Sequence, residues 1–429
     1  MPNKPNVLLV ADECNPEWPS LPIVGYKYAL EIAKLCNVTL ATHVRNKENI
    51  EKAAGGLNVV YIDNEWVAAP MFKAARLIRG GEEVGWSTSM IFNYLPYLAF
   101  EHGVWRHFKS QLQGGDFDIV HRITPMSPTL PSWLAHKVKQ PFVIGPLNGN
   151  LDWPAAFVAE QAREKEKLRG LRNIYKYLPY ARSTYDDAAA VLSAFSHTRA
   201  DLERVEDTRI VSMPEIGFDP EIFHAKQTPP AGNRSTDGKV HFLYAGRLVP
   251  YKLPELPLQA FAKSELLQEH HLHVVGDGPE RDRMQDVIDE HGLHDCVTMH
   301  GRKSQSEVAD MMRKVDAFVF PSIRELGAGV VIESMACGNY VLVADYGAPG
   351  DLAADGRGAA IKMEGFDKMV EGFQMEMEAC ASQPSHMTNP ATAGQTYAES
   401  HFPWSRKGEK TFDIYQAILE HRTLDGLGY

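Results

Sequence analysis

Short apolar runs alternate with helical patterns along the first half of the chain. "NVLLVAD" at residues 6–12 has the length of a buried parallel strand, "GYKYALEIAKLCN" has apolar residues at helical spacing, and "VTLATH" is again strand-like. Strand, helix, strand is the unit of a doubly wound sheet. The pattern predicts further strands at 58–62, 117–123, 141–147 and 188–195. It also predicts two long helical stretches, at 69–112 and 155–187.

A second series follows the polar segment 225–239, whose composition is typical of a linker or surface loop. It predicts strands at 240–246, 271–276, 296–301, 317–322 and 340–345, and helices at 255–269, 279–292, 304–314 and 328–337. The chain is therefore expected to be an α/β protein with two doubly wound, Rossmann-like domains. Open parallel sheets bind ligands beyond the carboxyl ends of their strands, so the loops that follow strands are the places to look for chemistry.

Bulk properties agree with two globular domains and narrow the class of protein. The chain has 429 residues, more than the roughly 250–300 at which a single core stops growing. The net charge of -11 argues against a nucleic-acid binder. The five scattered cysteines contain no CxxC pair, which fits a reducing cytoplasm. No apolar stretch reaches about 18 residues, so we expect a cytoplasmic protein that contacts a membrane, if at all, only peripherally.

The first strand of the second series is followed by "AGRLVPYK". Arg247 and Lys252 suit a diphosphate, because arginine offers a bidentate fork and lysine a point charge; the alternative is that both are solvated surface residues. Gly246 leaves room for close approach. The next strand ends in "GDGPER", where Gly276 and Gly278 permit a tight turn beside a ligand.

The stretch "PSIRELGAGVVIESMACG" follows the fourth strand of this series and contains Glu325 and Glu333, eight positions apart. A helix that begins near Ala328 directs its free N–H groups and positive dipole end toward the carboxyl edge of the sheet, which makes an anion site. Gly338 then lies just past the helix end. Glu333, in the second turn, faces either solvent or the hydroxyls of a ligand, and Glu325 lies in the loop.

The succession AGRLxPxK, GDGP, and PSxxE with a second glutamate before "SMACG" resembles family 4 of the retaining glycosyltransferases, within the glycosyl transferases group 1. The resemblance extends to "DIVHRITPMS", "FVIGPLNGN" and "PEIGFDPEIF". It implies the GT-B fold, in which two Rossmann-like domains face each other across a cleft. "FPWSRKGEKTFDIYQAIL" looks like the helix that crosses back onto the first domain in this family. The implied domains are an acceptor-binding domain, 1–212 completed by 404–429, and a nucleotide-sugar-binding domain, 213–403.

The resemblance also implies a role for each motif residue. Arg247 and Lys252 would bind the diphosphate of a sugar nucleotide, Glu333 the ribose hydroxyls, and Glu325 the transferred sugar. Backbone amides from Gly327 to Val330 would contact sugar and phosphates. The expected donor-binding set is Gly246, Arg247, Lys252, Gly276, Gly278, Gly327, Ala328, Gly329, Val330 and Glu333. The expected ligand is a UDP-, GDP- or other NDP-sugar, with no further cofactor.

Two positions depart from the family pattern. The usual Glu-Gly-Phe-Gly is replaced by Glu325, Leu326, Gly327 and Ala328, and Tyr340 stands where proline is usual. The first change makes the expected sugar pocket unlike the commonest form in the family. The sequence therefore leaves the donor sugar open, and the nucleotide base as well.

The first series supplies the expected acceptor side. His121 ends the predicted strand "DIVHR" and matches a histidine that relatives place in the cleft near the reacting sugar; the alternative is a structural histidine. Asn148 and Gly149 follow another strand. Gly25 remains where relatives have adjacent glycines. The expected catalytic residues are Arg247, Lys252, Glu325 and His121, and the expected acceptor residues are Gly25, His121, Asn148 and Gly149.

Metal and membrane contacts have weaker signals. "DFD" at 116–118 superficially offers a DxD metal motif, but GT-B enzymes generally use cations and a helix dipole in place of a metal, so we interpret it as a turn. Residues 160–182 are rich in Arg and Lys. This segment is either a basic helix lying on an anionic membrane or a solvated helix with i,i+4 charge pairs. The aromatic residues of 85–108 pack in the core or line an acceptor groove.

These observations together predict a metal-independent, retaining glycosyltransferase of polysaccharide or glycolipid biosynthesis. It would transfer a sugar from a nucleotide diphosphate to a hydroxyl of a saccharide or lipid-linked acceptor. Two alternatives remain: a non-catalytic sugar-nucleotide-binding protein, and a GT-B nucleotide-sugar epimerase that converts the donor without an acceptor.

Overall fold

The computed structural model describes residues 4–53, 55–79, 86–149, 151–163, 177–226, 228–234 and 236–429. The chain divides into two compact units. Unit 1 consists of Met1–Asn150, Lys165–Glu215 and Trp404–Tyr429, and unit 2 consists of Leu151–Glu164 and Ile216–Pro403. The sequence-based division assigned 151–164 to the first domain, whereas these residues pack with unit 2.

Seven parallel strands form the sheet of unit 1. They are β1 (Asn6–Ala11), β2 (Asn37–His43), β3 (Asn58–Ile62), β4 (Ile119–Thr124), β5 (Phe142–Leu147), β6 (Ala188–Ser193) and β7 (Ile210–Ser212). Their order in the sheet is β3-β2-β1-β4-β5-β6-β7. The apolar runs of β1, β4 and β5 are buried almost throughout, as expected for central strands covered on both faces.

Helices cover this sheet. Among the described residues, the helices before unit 2 resumes at Ile216 are α1 (Leu21–Leu35), α2 (Lys47–Lys52), α3 (Glu65–Arg79), α4 (Trp86–Gly114), α5 (Trp133–Lys137), α6 (Val158–Arg163), α7 (Ser183–Asp186) and α8 (Ser196–Arg199), of which α6 belongs to unit 2. The helix at Trp404–Leu419 returns to unit 1 and packs along α1. Gly408 allows this close approach, because a Cβ there would lie 2.9 Å from the backbone oxygen of Glu31.

Six parallel strands form the sheet of unit 2. They are β8 (His241–Ala245), β9 (His271–Val275), β10 (Val297–Gly301), β11 (Ala317–Phe320), β12 (Tyr340–Ala344) and β13 (Ala359–Ile361). Their order is β10-β9-β8-β11-β12-β13. The remaining helices are α9 (Leu256–Ala262), α10 (Glu265–Gln268), α11 (Arg281–His291), α12 (Gln305–Met312), α13 (Gly329–Ala336), α14 (Gly347–Ala353), α15 (Phe366–Ser382), α16 (Thr388–His401) and α17 (Trp404–Leu419). The prediction of two doubly wound parallel sheets is confirmed.

Several predicted element bounds were wrong. The strand predicted at 117–123 continues to Thr124, so His121 lies in its middle and not at its end. The helix predicted over 155–187 is not continuous, since residues 178–182 form a bend and turns and α7 begins only at Ser183. The helix expected over 404–429 ends at Leu419. Most of the basic segment 160–182 falls on 164–176, which lie outside the described residues.

Within the described part of the chain, no helix combines the length and the apolar character that crossing a bilayer requires. The same residues contain no group of three or more His, Cys, Asp or Glu side chains placed to hold a metal ion. Of the "DFD" motif, Asp118 accepts a hydrogen bond of 2.7 Å from the backbone N–H of Asn6, which fits the interpretation of a turn before β4.

Candidate functional site

The loop after β8 carries Arg247 at the carboxyl edge of the unit 2 sheet. Its side chain is exposed, and its Nη2 donates to the hydroxyl of Tyr251 at 2.7 Å. The hydroxyl of Tyr244 donates to the carbonyl oxygen of Arg247 at 3.2 Å. The loop is thus held by two tyrosines while the guanidinium remains accessible to a ligand.

The two glycines of "GDGPER", Gly276 and Gly278, pack against the backbone of this loop. A Cβ on Gly276 would lie 1.8 Å from the backbone oxygen of Gly246, and one on Gly278 would lie 2.4 Å from that of Leu248. The tight turn expected here is therefore needed for backbone packing against the Arg247 loop. Its role beside a ligand, as expected from the sequence, stays a prediction.

Lys252 and Glu325 form an ion pair. Lys252 ends the short 3₁₀ helix Pro250–Lys252 and is only 7% exposed. Its Nζ donates to Glu325 Oε2 at 2.8 Å, and the hydroxyl of Ser322 donates to the same oxygen at 3.1 Å. The ammonium group also lies 4.8 Å from the ring centroid of Phe320. Lys252 is therefore held by a carboxylate and an aromatic face. The Glu325 side chain is 21% exposed to solvent.

Helix α13 begins at Gly329, close to the predicted start. Ala328 precedes it in the left-handed conformation, with φ 50°, which is uncommon for a residue with a side chain. A Cβ on Gly329 would meet no atom within 4 Å, so the first turn is open. The first N–H groups of a helix have no intrahelical partner, and the positive dipole end strengthens their attraction for anions. Glu333 lies one turn further on and is partly exposed.

Tyr251 links the two cations. It accepts the hydrogen bond from Arg247, and its ring centroid lies 5.7 Å from Lys252 Nζ. Neither Tyr251 nor Ser322 was predicted to take part in the site, although both stand inside the quoted motifs. Side-chain direction in a loop is not encoded in motif spacing, so only the structure reveals these contacts. Together these contacts place two cations and one partly exposed carboxylate at the same edge of the sheet.

His121 does not lie at an accessible edge. It is 0% exposed, its Nδ1 lies 2.5 Å from the hydroxyl of Tyr415, and its Nε2 lies 2.7 Å from the carbonyl oxygen of Gly145. Burial lowers the pKa of the imidazole to about 4. These contacts fit the structural alternative for His121, and they disagree with a catalytic histidine at a strand end.

The other residues expected on the acceptor side also make contacts within unit 1. Asn148 is buried, and its Nδ2 donates to Glu215 Oε1 at 2.5 Å. The backbone N–H of Gly149 donates to the hydroxyl of Thr198 at 3.3 Å. Gly25 lies in α1, where a Cβ would come within 2.7 Å of the backbone oxygen of Glu13. Gly25 thus permits close packing of α1 on the loop after β1.

Known proteins resemble this chain in sequence and in fold. Residues 226–378 match the sequence profile of the family described as "Glycosyl transferases group 1". A D-inositol 3-phosphate glycosyltransferase from Stackebrandtia nassauensis is 25% identical over 244 residues, which are 54% of this chain and 54% of that protein. The chain thus matches about half the length of this relative.

Two solved structures cover nearly the whole chain at low identity. Sucrose-phosphate synthase from Thermosynechococcus elongatus superposes with a TM-score of 0.64 at 15% identity, over 97% of this chain and 100% of that one. Anabaena Alr3699/HepE, in complex with UDP and glucose, superposes with a TM-score of 0.58 at 13% identity, over 96% of this chain and 100% of that one. Residues 226–378 are therefore similar to the glycosyl transferases group 1, and the two parallel sheets of the chain have the GT-B fold.

Proposed function

We propose that this protein is a retaining glycosyltransferase that moves a sugar from a nucleotide diphosphate to a hydroxyl group of a saccharide or glycolipid. The observation that carries the proposal is the arrangement of Arg247, Tyr251, Lys252 and Glu325 before the open first turn of α13. The family match and the UDP complex of a protein with the same fold support a nucleotide-sugar donor.

Each donor group has a counterpart in unit 2. The diphosphate binds to Arg247 and Lys252, and the N–H groups of Gly327 to Val330 bind phosphate oxygens and the sugar. Glu333 accepts hydrogen bonds from the ribose hydroxyls. Glu325 accepts them from the sugar, a role for which its residual exposure is required. Both carboxylates act as acceptors because ionised carboxylates offer only acceptor oxygens.

The cations and the helix end then assist bond cleavage. As the bond between the anomeric carbon and the phosphate oxygen breaks, negative charge develops on the leaving diphosphate. Fixed positive charges and helix N–H groups stabilise that charge without reorganisation. The binding residues supply this charge themselves, so the proposed mechanism needs no metal ion.

Glu325 is held by Lys252 and Ser322, which suits it to bind hydroxyls and not to attack the anomeric carbon. We therefore assign retention to attack by the acceptor on the face from which the diphosphate leaves. The acceptor oxygen forms the new bond to the anomeric carbon, and its proton passes to the departing phosphate oxygen. Configuration is kept because both bonds lie on one face.

A ligand panel tests the donor class. Thermal unfolding is measured with UDP-, GDP-, ADP- and dTDP-sugars, and a specific ligand at 100 times its dissociation constant stabilises the folded protein by about 2.7 kcal/mol. With the selected donor and a panel of saccharide and lipid-linked acceptors, NMR of the product is expected to show the donor's anomeric configuration.

Variants connect that activity to the site. Arg247→Ala and Lys252→Ala are each expected to reduce turnover by about 100-fold or more. Lys368→Ala, which removes an exposed lysine of α15, serves as the control. Absence of binding and transfer with every donor, or undiminished turnover in both site variants, would overturn the proposal. Conversion of the donor without an acceptor would identify an epimerase instead.

A further inference from the structure

Residues 151–163, which the chain contributes to unit 2 before the rest of that unit, pack against the loops that carry the donor-site residues. Helix α6 contacts the 3₁₀ helix that contains Lys252. Arg163 Nη1 lies 2.9 Å from Glu280 Oε2, in the "GDGPER" loop. Phe157 is fully buried in the core of unit 2. We name residues 151–163 the inserted segment.

The start of the inserted segment holds Arg324, the residue directly before Glu325. Arg324 Nε donates to the carbonyl oxygen of Leu151 at 3.4 Å, and its guanidinium carbon lies 5.4 Å from the ring centroid of Trp153. Trp153 is itself buried in the unit 2 core, which fixes the ring. Arginine is suited to this place because its planar group stacks on an aromatic face while its N–H groups donate.

A second contact reaches the backbone of Glu325 from the other direction. Gly347 has φ +62°, and a Cβ there would lie 2.8 Å from the carbonyl oxygen of Glu325 and 2.8 Å from Leu151 Cδ2. The same carbonyl accepts a hydrogen bond of 3.3 Å from Ala348 N–H. The Tyr346 hydroxyl donates to the carbonyl oxygen of Asp152 at 3.0 Å. The inserted segment thus contacts the residue before Glu325 and the loop against which its carbonyl rests.

We infer that Trp153 and Arg324 are positioning residues, which hold the backbone of Glu325 so that its carboxylate stays between Lys252 and the donor sugar. The inference rests on the proposed function, since it assigns a purpose to Glu325 as the sugar ligand. Anchoring Arg324 restricts the rotation of the peptide that joins it to Glu325. A carboxylate displaced by about 1 Å forfeits much of its contribution to orientation.

The test separates sugar binding from nucleotide binding. Dissociation constants are measured for UDP and UDP-glucose, or for the corresponding pair of the base and sugar selected in the ligand panel. In Arg324→Met, the affinity for the nucleoside diphosphate is expected to stay within about twofold of wild type, because that ligand does not reach Glu325. The ratio of the two dissociation constants shifts against the sugar-bearing ligand by about fivefold or more, and kcat falls about tenfold or more.

Conservative variants distinguish positioning from charge. Arg324→Lys keeps the positive charge but loses the planar stack, and it is expected to behave like Arg324→Met. Trp153→Phe keeps an aromatic face and is expected to stay near wild type, whereas Trp153→Leu should reproduce the change in the ratio. Arg324 is partly exposed, so its variants provide the test even where a tryptophan variant fails to fold.

Arg357 offers a matched control in the same unit. Its guanidinium carbon lies 4.1 Å from the ring centroid of Tyr397, and its Nε donates to the carbonyl oxygen of Leu352 at 2.8 Å. Arg357→Met therefore removes a similar stack elsewhere, and it is expected to lower Tm without changing the ratio.

The outcomes separate the two proposals. An unchanged ratio in Arg324→Met and Arg324→Lys, with a loss of Tm like that of Arg357→Met, would show that the inserted segment is merely structural and would overturn the inference. A wild-type protein that binds no nucleotide sugar would overturn the proposed function and the inference with it.

Discussion

Replacing Lys252 by methionine removes the ammonium group and keeps an unbranched side chain. The Lys252 side chain is 9% exposed, and its loss leaves the Glu325 carboxylate with the Ser322 hydroxyl at 3.1 Å. Breaking a fully buried ion pair costs about 3–5 kcal/mol. Water has partial access to Glu325, which reduces the expected loss of unfolding free energy to about 2 kcal/mol. For a unit of about 200 residues this corresponds to a Tm lower by roughly 4–8 °C.

A double-mutant cycle with Glu325→Gln measures the pair directly by denaturant unfolding. The double variant leaves no uncompensated charge, so a coupling free energy of about 1–2 kcal/mol is expected. Turnover with the selected donor should fall by about 100-fold or more in Lys252→Met and stay low in the double variant, because the cation at the diphosphate is still missing. An additive cycle would refute the ion pair as a stabilising contact. Wild-type turnover in Lys252→Met would refute its role at the phosphate.

Three further changes probe other parts of the chain. Burial and neighbouring histidines lower the pKa of His273 to about 3, so the folded protein favours the neutral imidazole. The stability that this group contributes is present above its ordinary pKa of about 6.5 and is lost toward pH 3, so Tm should fall with pH in that window, and less in His273→Gln. Gly276→Ala should lower both Tm and nucleotide affinity, because the new Cβ would meet the backbone oxygen of Gly246. Gly292→Ala is the control: a Cβ there has no atom within 4 Å, so the substitution should change only stability. Equal nucleotide affinities in the two variants would contradict this prediction. His121→Gln should lower Tm and leave kcat per folded molecule unchanged. A large loss of kcat in well-folded protein would instead support a catalytic role for His121.

The sequence predicts what depends on periodicity and on local chemistry. Apolar runs of strand length identify β1 and β8 because both are buried between helix layers. The start of α13 is predicted within one residue, since glycine and alanine give way there to an apolar helical pattern. Short edge strands escape prediction: β7 and β13 have three residues each, too few to show an alternation.

What depends on three-dimensional packing was not predictable. His121 matched a family motif, yet both ring nitrogens are satisfied by partners 24 and 294 positions away along the chain. Gly276 looked like a ligand-side glycine, but the backbone that requires it belongs to a different loop. The inserted segment lies between β5 and β6 of the first sheet in sequence but packs with the second unit, which no local pattern signals.

Unit 1 is built from segments that are far apart in the sequence, and this affects how the chain folds during synthesis. A hydrogen bond between the Tyr28 and Thr411 hydroxyls joins α1 to α17, and the Tyr429 N–H donates to the carbonyl oxygen of Ser212 in β7. These contacts cannot form until α17 has left the ribosome, whereas the pieces of unit 2 are all available earlier. Domains generally fold in order from the N-terminus during synthesis. For this chain we expect the reverse order: a product truncated after Pro403 should contain a protease-resistant unit 2 and a protease-sensitive, incomplete unit 1.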